Sequence, residues 1–438
     1  MKKILLIQPT IYDDSGSLIK VKKLYFIGLT MPLLAALTPP KWQVDICIES
    51  VEDIPFNTDA SIVGIGSMGH SLKRAFEISA EFKKRGKTVI MGGMMASLIP
   101  EETIKHCDSV IIGDGEVSWG KMFHDIENGG LKRFYNEQID TFSTPLPKYE
   151  LITNKAIGDF LPVQAGRGCP NTCSFCSIYC IYKQKYLRRE ISEVIRDIKR
   201  IKELGFKKFL LIDDNIIADR EYMKELCSEI KSLNMKWMSQ CAIELANDEE
   251  LLEIVAESGC TTLSFGLESI SKANLCSLNK DWCDPGEYKR MIDTIHRHNI
   301  NVASEMMVGL DGDTAESLKE TAKFVINNKI EVPKFYIITP IPGTVYFEEI
   351  SKTNRLINRD IESYSPSKAV ITTEHFGPEQ LTDAYWELYR SVYSIPSIIR
   401  RTLLHKRFLK TPFSYLFVFF VNMVYRYQIK KRIAPIII

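Results

Sequence analysis

The chain has 438 residues, 45% apolar and 25% charged, the balance of a globular protein able to bury a core. That excludes a disordered or fibrous chain, and a length about three times a typical domain of roughly 150 residues predicts two or three domains. Lysine and arginine number 56 against 55 aspartates and glutamates, so the formal charge of +1 gives no bulk attraction for nucleic acid. This neutrality hides an asymmetry: no acidic residue follows Glu387, while basic residues continue from Arg390 to Arg432.

The apolar run in MKKILLIQPT stops at Gln8 and Pro9, short of the roughly 7–15 residues of a signal peptide, and reads as a buried first strand. Residues 1–127 then alternate strand-like runs (KILLIQ, VDICIE, ASIVGIGS, TVIMGG, SVIIGDGE) with helical patterns. In SLKRAFEISAEFKKRG, Leu72, Ala75, Phe76 and Ser79 share one face and Gly86 is the stop. Such alternation predicts an α/β domain with a doubly wound parallel sheet, whose ligands sit at the carboxyl ends of the strands. Those ends carry Gly64, Gly66 and Ser67, then Gly92 and Gly93, then Gly113 and Gly115. Because a residue without Cβ lets a ligand approach the backbone, they predict a cofactor bed at Ser67, Gly92, Gly93 and Gly113. Tight βα turns alone are the alternative. Residues 128–160, with Gly129, Gly130, Pro145 and Pro147, read as a linker.

A second series runs from 161 to 345, through LPVQAG, KKFLLIDDN, KWMSQCAIE, TTLSFGLES, INVASEMMVGL and PKFYIITP. Six βα units fall short of an eight-fold barrel and predict an incomplete (β/α)6 barrel with its active face at the strand C-termini. Asp213, Asp214 and Asn215, then Gln240, Glu268 and Glu305, fall at those ends. Residues 346–438 read as a C-terminal helical extension. Eleven cysteines, an odd number in a long chain, argue against a disulfide framework and for a cytoplasmic protein whose clustered cysteines do metal or redox chemistry.

The sharpest motif is GRGCPNTCSFCSIYC, in which Cys169, Cys173 and Cys176 have the spacing CxxxCxxC. Three thiolates on one short loop hold three irons of a 4Fe–4S cluster and leave the fourth open to a substrate or cofactor. No histidine lies between His124 and His296, which disfavours local zinc. Cys180 is the alternative fourth ligand, which would close the cluster for electron transfer, and a chance grouping of core cysteines is the bland alternative.

With these residues the chain resembles the radical S-adenosylmethionine (SAM) enzymes, and its first part resembles the cobalamin-binding domain attached to one large branch of them. The resemblance runs through IVGIGSMGHSLKRAFEIS, VIMGGMMASLIPEE, VIIGDGE, DDNI, FGLES, VGLDGD and TPIPGT, covers about residues 1–395, and within the branch is strongest to the hopanoid-methylase-like group. It implies a 4Fe–4S cluster on Cys169, Cys173 and Cys176, with SAM on the fourth iron, cleaved by one electron to a 5′-deoxyadenosyl radical. An electron donor such as flavodoxin or ferredoxin would supply that electron. SAM-holding positions carry over to Asp213, Asp214 and Asn215, Gln240, Glu268, and the VGLDGD turn around Gly309. For Asp214 and Asn215, helix capping is the alternative, since a helix follows at Arg220.

The cobalt-ligating pattern Asp-x-His-x-x-Gly is absent, so the resemblance implies cobalamin bound without that ligand, with a vestigial domain as the alternative. The activity implied is C-methylation of an unactivated carbon in a lipid or other small molecule. Radical rearrangement, cyclisation or oxidation is one alternative, and a non-catalytic iron–sulfur protein is another. No cysteine follows Cys283 and only Cys47 and Cys107 precede the motif, which predicts neither an auxiliary-cluster domain, nor a dual-site RNA methylase, nor a methylthiotransferase.

In the basic tail, an apolar and aromatic run of about 13 residues from Phe413 to Tyr425 is shorter than the roughly 20 that span a bilayer. It reads either as a peripheral contact of 396–438 with the headgroups of an anionic inner membrane face, or as a last helix packed on the barrel with its basic residues merely solvated. His405 is expected at the surface.

Overall fold

The computed structural model describes residues 2–139, 141–365 and 367–435, apart from the side chain of Ser363. Two compact units emerge: one holds the chain up to Gly168 together with Ser177–Ile212, the other Cys169–Cys176 and the chain from Asp213 onward.

In the first unit, β1 (Lys2–Gln8), β2 (Trp42–Ile48), β3 (Ile62–Gly66), β4 (Thr88–Gly92), β5 (Ser109–Ile111) and β6 (Phe134–Tyr135) form a parallel sheet in the order β2-β1-β3-β4-β5-β6. Ile4, Leu5, Leu6 and Ile7 are consecutive and all buried, which needs cover on both faces and is what a doubly wound sheet supplies. The order reverses between β1 and β3, the switch point where such sheets bind ligands. Helix Leu72–Lys84 buries Leu72, Ala75, Phe76, Ser79 and Phe82 as its periodicity predicts, and Gly86, at φ +71°, returns its N–H to the Lys83 carbonyl to end it. Residues 128–160 do more than link, since they supply β6, and the Tyr149 hydroxyl donates to the Pro162 carbonyl at 2.7 Å.

The same unit contains β7 (Phe160–Val163), β8 (Gly166–Gly168), β9 (Tyr186–Arg188) and β10 (Lys208–Leu211), with β7 and β10 paired in parallel. β8 and β9 pair antiparallel, a hairpin the βα pattern did not predict. Its glycines are steric: a Cβ at Gly166 would collide with the Tyr186 ring, and one at Gly168 with the Lys185 carbonyl. In the second unit, β11 (Lys236–Cys241), β12 (Cys260–Glu268), β13 (Asn301–Val308) and β14 (Val332–Ile337) pair in parallel in chain order, with helices Glu249–Glu257, Tyr288–Arg297 and Ala315–Asn327 between the later strands and after β13. All six expected strands of the second series are therefore present, and the α/β class is as expected.

Helices Pro378–Val392, Ile395–Arg401 and Pro412–Lys430 follow. The first serves the edge strand β14: the Tyr389 hydroxyl accepts from Phe335 N–H at 2.8 Å and lies 3.0 Å from the Phe335 carbonyl, to which it donates, while Tyr393 donates to the Pro333 carbonyl. Backbone groups left open at a sheet edge are thus satisfied by tyrosines. The tail corrects two expectations. His405 is buried rather than at the surface, and Arg401 and Arg407 are buried rather than solvated. All three are drawn in by the buried backbone carbonyls and carboxylate around Glu331: Arg401 donates to the carbonyls of Ile330 and Glu331, and Arg407 to that of Ile300. No helix among the described residues is long and apolar enough to cross a membrane.

Candidate active site

The cysteine loop is held by hydrogen bonds within the second unit. Ser174 N–H donates to the Leu278 carbonyl at 2.9 Å, and the Asn279 amide donates to the Thr172 carbonyl and hydroxyl at 2.8 and 2.7 Å. Tyr346 N–H donates to the Ser174 carbonyl at 2.9 Å. Phe175, between two of the cysteines, packs on an apolar group that includes Leu278, Leu310, Ile338 and Ile350. Cys173 is buried and Cys169 and Cys176 are half-buried. Burial pushes the Cys173 thiol up to about 12 and raises that of Cys169, so metal binding must displace their protons.

Among the described residues, the one group of three His, Cys, Asp or Glu side chains whose ligand atoms all lie within 4.8 Å of one another is His296, Glu331 and His405. No histidine accompanies the three thiols in their loop, and this donor set fits a polynuclear cluster better than zinc. The histidine group is not a metal centre either. His405 Nδ1 accepts the Arg407 N–H at 3.1 Å, which leaves the ring proton on Nε2, the nitrogen facing Glu331, and the Arg407 guanidinium lies 3.7 Å from the same carboxylate.

Several SAM-holding candidates gather beside this loop. The Asn215 amide lies 3.9 Å from the Cys169 sulfur, and its oxygen accepts the N–H groups of Ile217 and Ala242 at 3.3 and 3.1 Å. β10 stops at Leu211, so Asp213, Asp214 and Asn215 form the strand-end loop rather than a strand, with Asp213 and Asn215 buried. The capping alternative fails: Asp219 caps helix Arg220–Ser232, accepting from Tyr222 N–H at 3.0 Å. Gln240 is exposed on the β11 face opposite Trp237, Ser239 and Cys241, and its carbonyl accepts from Ile216 N–H.

Glu268 ends β12 with φ at +58°, the left-handed region that a residue with a Cβ seldom occupies. A buried lysine holds its side chain. Lys280 Nζ lies 2.9 Å from Glu268 Oε1 and donates to the Gly266 carbonyl at 2.6 Å. The pair lies flat over the strand because Gly266 has no Cβ to strike the Glu268 carboxylate. No motif marks Lys280 as the partner of Glu268; its signal is its setting, a lone cation in the segment Leu275-Cys276-Ser277-Leu278-Asn279-Lys280 that ends against Trp282 and Cys283.

Gly309 takes φ +95°, and both its N–H and that of Leu310 donate to Asp313, at 2.9 and 3.0 Å. Burial pushes the Asp313 carboxyl up to about 6 despite those bonds and one from Asn274. The VGLDGD motif thus builds a self-capped turn.

In the first unit the glycine-ended strands are stitched to one another. Ser67 is fully buried; its N–H and hydroxyl donate to the Gly92 carbonyl at 2.8 and 3.2 Å, and its hydroxyl accepts Ala96 N–H at 3.3 Å. A Cβ on Gly93, at φ +97°, would lie 2.6 Å from the Ser67 carbonyl oxygen. Gly93→Ala is accordingly expected to lower stability by about 1–3 kcal/mol and to loosen this edge, read as a lower thermal midpoint of the apo chain. Gly113 differs: nothing lies within 4 Å of the Cβ it lacks, and the neighbouring Asp114 and Glu116 are fixed by the half-buried Arg167 at 2.7 and 2.8 Å. Arg167 stands two residues before Cys169 in the chain and stacks on Phe142.

Residues 163–325 match the family model of the radical SAM superfamily. The chain is 31% identical over 416 residues to the bacteriochlorophyllide d C-12(1)-methyltransferase of Chlorobaculum tepidum, covering 91% of this chain and 89% of that one. It is 22% identical to the hopanoid C-2 methylase of Rhodopseudomonas palustris, over 75% and 65% of the two chains. Among solved structures, the radical SAM methyltransferase TsrM from Kitasatospora setae, with cobalamin and a 4Fe–4S cluster bound, superposes with a TM-score of 0.65 at 15% identity, over 90% of this chain and 85% of that one. A radical SAM domain carries a 4Fe–4S cluster and binds SAM. The chain belongs to the radical SAM superfamily and, within it, to the group of its methyltransferase relatives, and it shares the fold of TsrM.

Proposed function

We propose that this enzyme C-methylates an unactivated carbon of an apolar small molecule, a lipid or a tetrapyrrole, with the cluster on Cys169, Cys173 and Cys176 and cobalamin on the bed of the first unit. The observation that carries this reading is the joint presence, in one chain, of the open three-cysteine loop and a glycine-edged doubly wound sheet, in a chain 31% identical to a bacteriochlorophyllide methyltransferase over nine tenths of its length. When bound, the cluster and SAM supply hydrogen-atom abstraction and cobalamin supplies the methyl group.

The protein's own residues then hold and shield. Asn215 fixes the strand-end loop at Cys169, and Gln240 offers both a donor and an acceptor from an open strand face. Glu268 presents a carboxylate suited to ribose hydroxyls or an ammonium, its charge balanced by Lys280. Phe175 and its apolar neighbours keep water from the cysteine loop, which protects a radical from quenching. In the first unit Gly113 leaves bare backbone, Ser67 and Gly93 keep the edge rigid, and Met68, 68% exposed at the end of β3, adds an apolar surface for a macrocycle. Eleven cysteines without a paired framework suit the reducing cytoplasm, in which a flavodoxin or ferredoxin would deliver the electron.

The test is anaerobic purification from cobalamin-supplied cells, followed by turnover with deuterated-methyl SAM on bacteriochlorophyllide d and on a hopanoid lipid. The expected result is near-stoichiometric cobalamin beside the iron, 5′-deoxyadenosine release and a deuterated methyl group in one product, with both products lost in Cys176→Ala. A chain that cleaves SAM through an intact cluster but retains no cobalamin and labels nothing would overturn the proposal in favour of non-methylating radical chemistry.

A further inference from the structure

The C-terminal helix Pro412–Lys430 is packed the wrong way round for a soluble surface helix. Its buried side carries Tyr415, Val418, Asn422 and Ile429, and two of these are polar anchors: the Tyr415 hydroxyl donates to Glu331 at 2.7 Å, and the Asn422 amide donates to the Glu331 carbonyl at 3.0 Å. The opposite side carries Phe413, Leu416, Phe420, Val424 and Tyr427, at spacings of three, four, four and three residues, hence in one stripe along the helix. Phe413 is 85% exposed and Phe420 63%. Just before the helix, Leu409 is 88% exposed, and Leu404 is also exposed. A soluble helix turns its apolar stripe inward, so this one is built to meet something.

Charge selects the occupant. Lys406 and Lys410 flank the exposed leucines, and Lys430 and Lys431 close the far end of the stripe; all four are exposed, and Lys431 sits over the Tyr427 ring at 4.5 Å. No acidic residue follows Glu387, so a second copy brought up about a two-fold axis would set like charges against one another. The geometry points to an anionic lipid surface: the helix lies in the headgroup region with its aromatic stripe among the acyl chains and the lysines on lipid phosphates. With Tyr415 and Asn422 anchored on Glu331 along its other side, the helix suits lying in the interface rather than crossing it. The inference does not depend on methyl transfer, because binding is read without turnover.

The experiment is co-sedimentation of the full-length holoenzyme with extruded vesicles of equimolar phosphatidylglycerol and phosphatidylcholine, and with phosphatidylcholine alone. Binding to the mixed vesicles, weakened by salt, is expected, with little to phosphatidylcholine alone. Phe413→Asp with Phe420→Asp should lower the partition coefficient by roughly a hundredfold, and Lys406→Glu with Lys410→Glu by about tenfold. Both pairs are exposed, so far-ultraviolet circular dichroism and SAM cleavage should match the parent. Three results would overturn the inference: no sedimentation with anionic vesicles, equal binding by the parent and the Phe pair, or a stable dimer of the parent that the Phe pair dissolves.

Discussion

Lys280→Met is expected to destabilise the protein by about 3–5 kcal/mol, whereas the double variant Lys280→Met, Glu268→Gln should recover most of that loss. The asymmetry follows from burial. Both side chains are nearly inaccessible, and Glu268 is held in a left-handed backbone conformation at the end of β12. Removing the ammonium leaves a carboxylate with neither solvent nor counter-charge, while removing both charges leaves a neutral amide over a strand end. Lys280 also donates to the Gly266 carbonyl, so a smaller residual cost should survive in the double variant. Urea unfolding of the apo chain measures both the loss in the single variant and its recovery in the double variant. A single variant costing under about 1 kcal/mol would mean that Glu268 is satisfied without Lys280.

The legible and illegible parts of this molecule differ in range. Strand positions in both series could be read because buried parallel strands are short apolar runs closed by glycines; KILLIQ and TVIMGG appear as β1 and β4. The three cysteines were legible because their spacing is local. Three other features rest on contacts distant in sequence. Lys280 meets Glu268 twelve residues back, Arg167 meets Asp114 fifty-three residues back, and Asn279 meets Thr172 across more than a hundred. The β8–β9 hairpin was invisible because a three-residue strand with two glycines has no periodicity to detect. His405 misled for a related reason: a histidine among lysines and arginines reads as solvated, and only the fold reveals a buried carboxylate waiting for it at Glu331.

Glu331→Gln should cost about 3–5 kcal/mol at pH 7, and should do so by freeing the tail. Glu331 is fully buried. One oxygen accepts the Tyr415 hydroxyl; the other accepts Val302 N–H at 2.9 Å and lies 3.1 Å from His296 Nε2. An amide of the same size must turn its NH2 toward one of these donors. Tyr415, Asn422 and Arg401 all converge there, so trypsin should cleave the variant between Arg400 and Arg432 well before the parent.

The pH profile separates charge from shape. The guanidinium and imidazole groups around Glu331 hold its carboxyl down at about 2 against an ordinary 4.5, so its stabilisation is complete above pH 4.5 and lost as pH falls toward 2. Burial holds the His405 imidazole down at about 4 against 6.5, so the parent also loses stability as pH falls from 6.5 to 4, where the unfolded chain takes up a proton that the folded one refuses. The neighbouring titratable and charged groups are Glu331, His296, Arg407 and Lys329. In Glu331→Gln the decline between pH 6.5 and 4 should persist, because burial and the cations still oppose a charged His405, while the further decline from 4.5 to 2 should flatten. Parallel curves for parent and variant throughout that lower range would show that the carboxylate is not the charge on which the tail is docked.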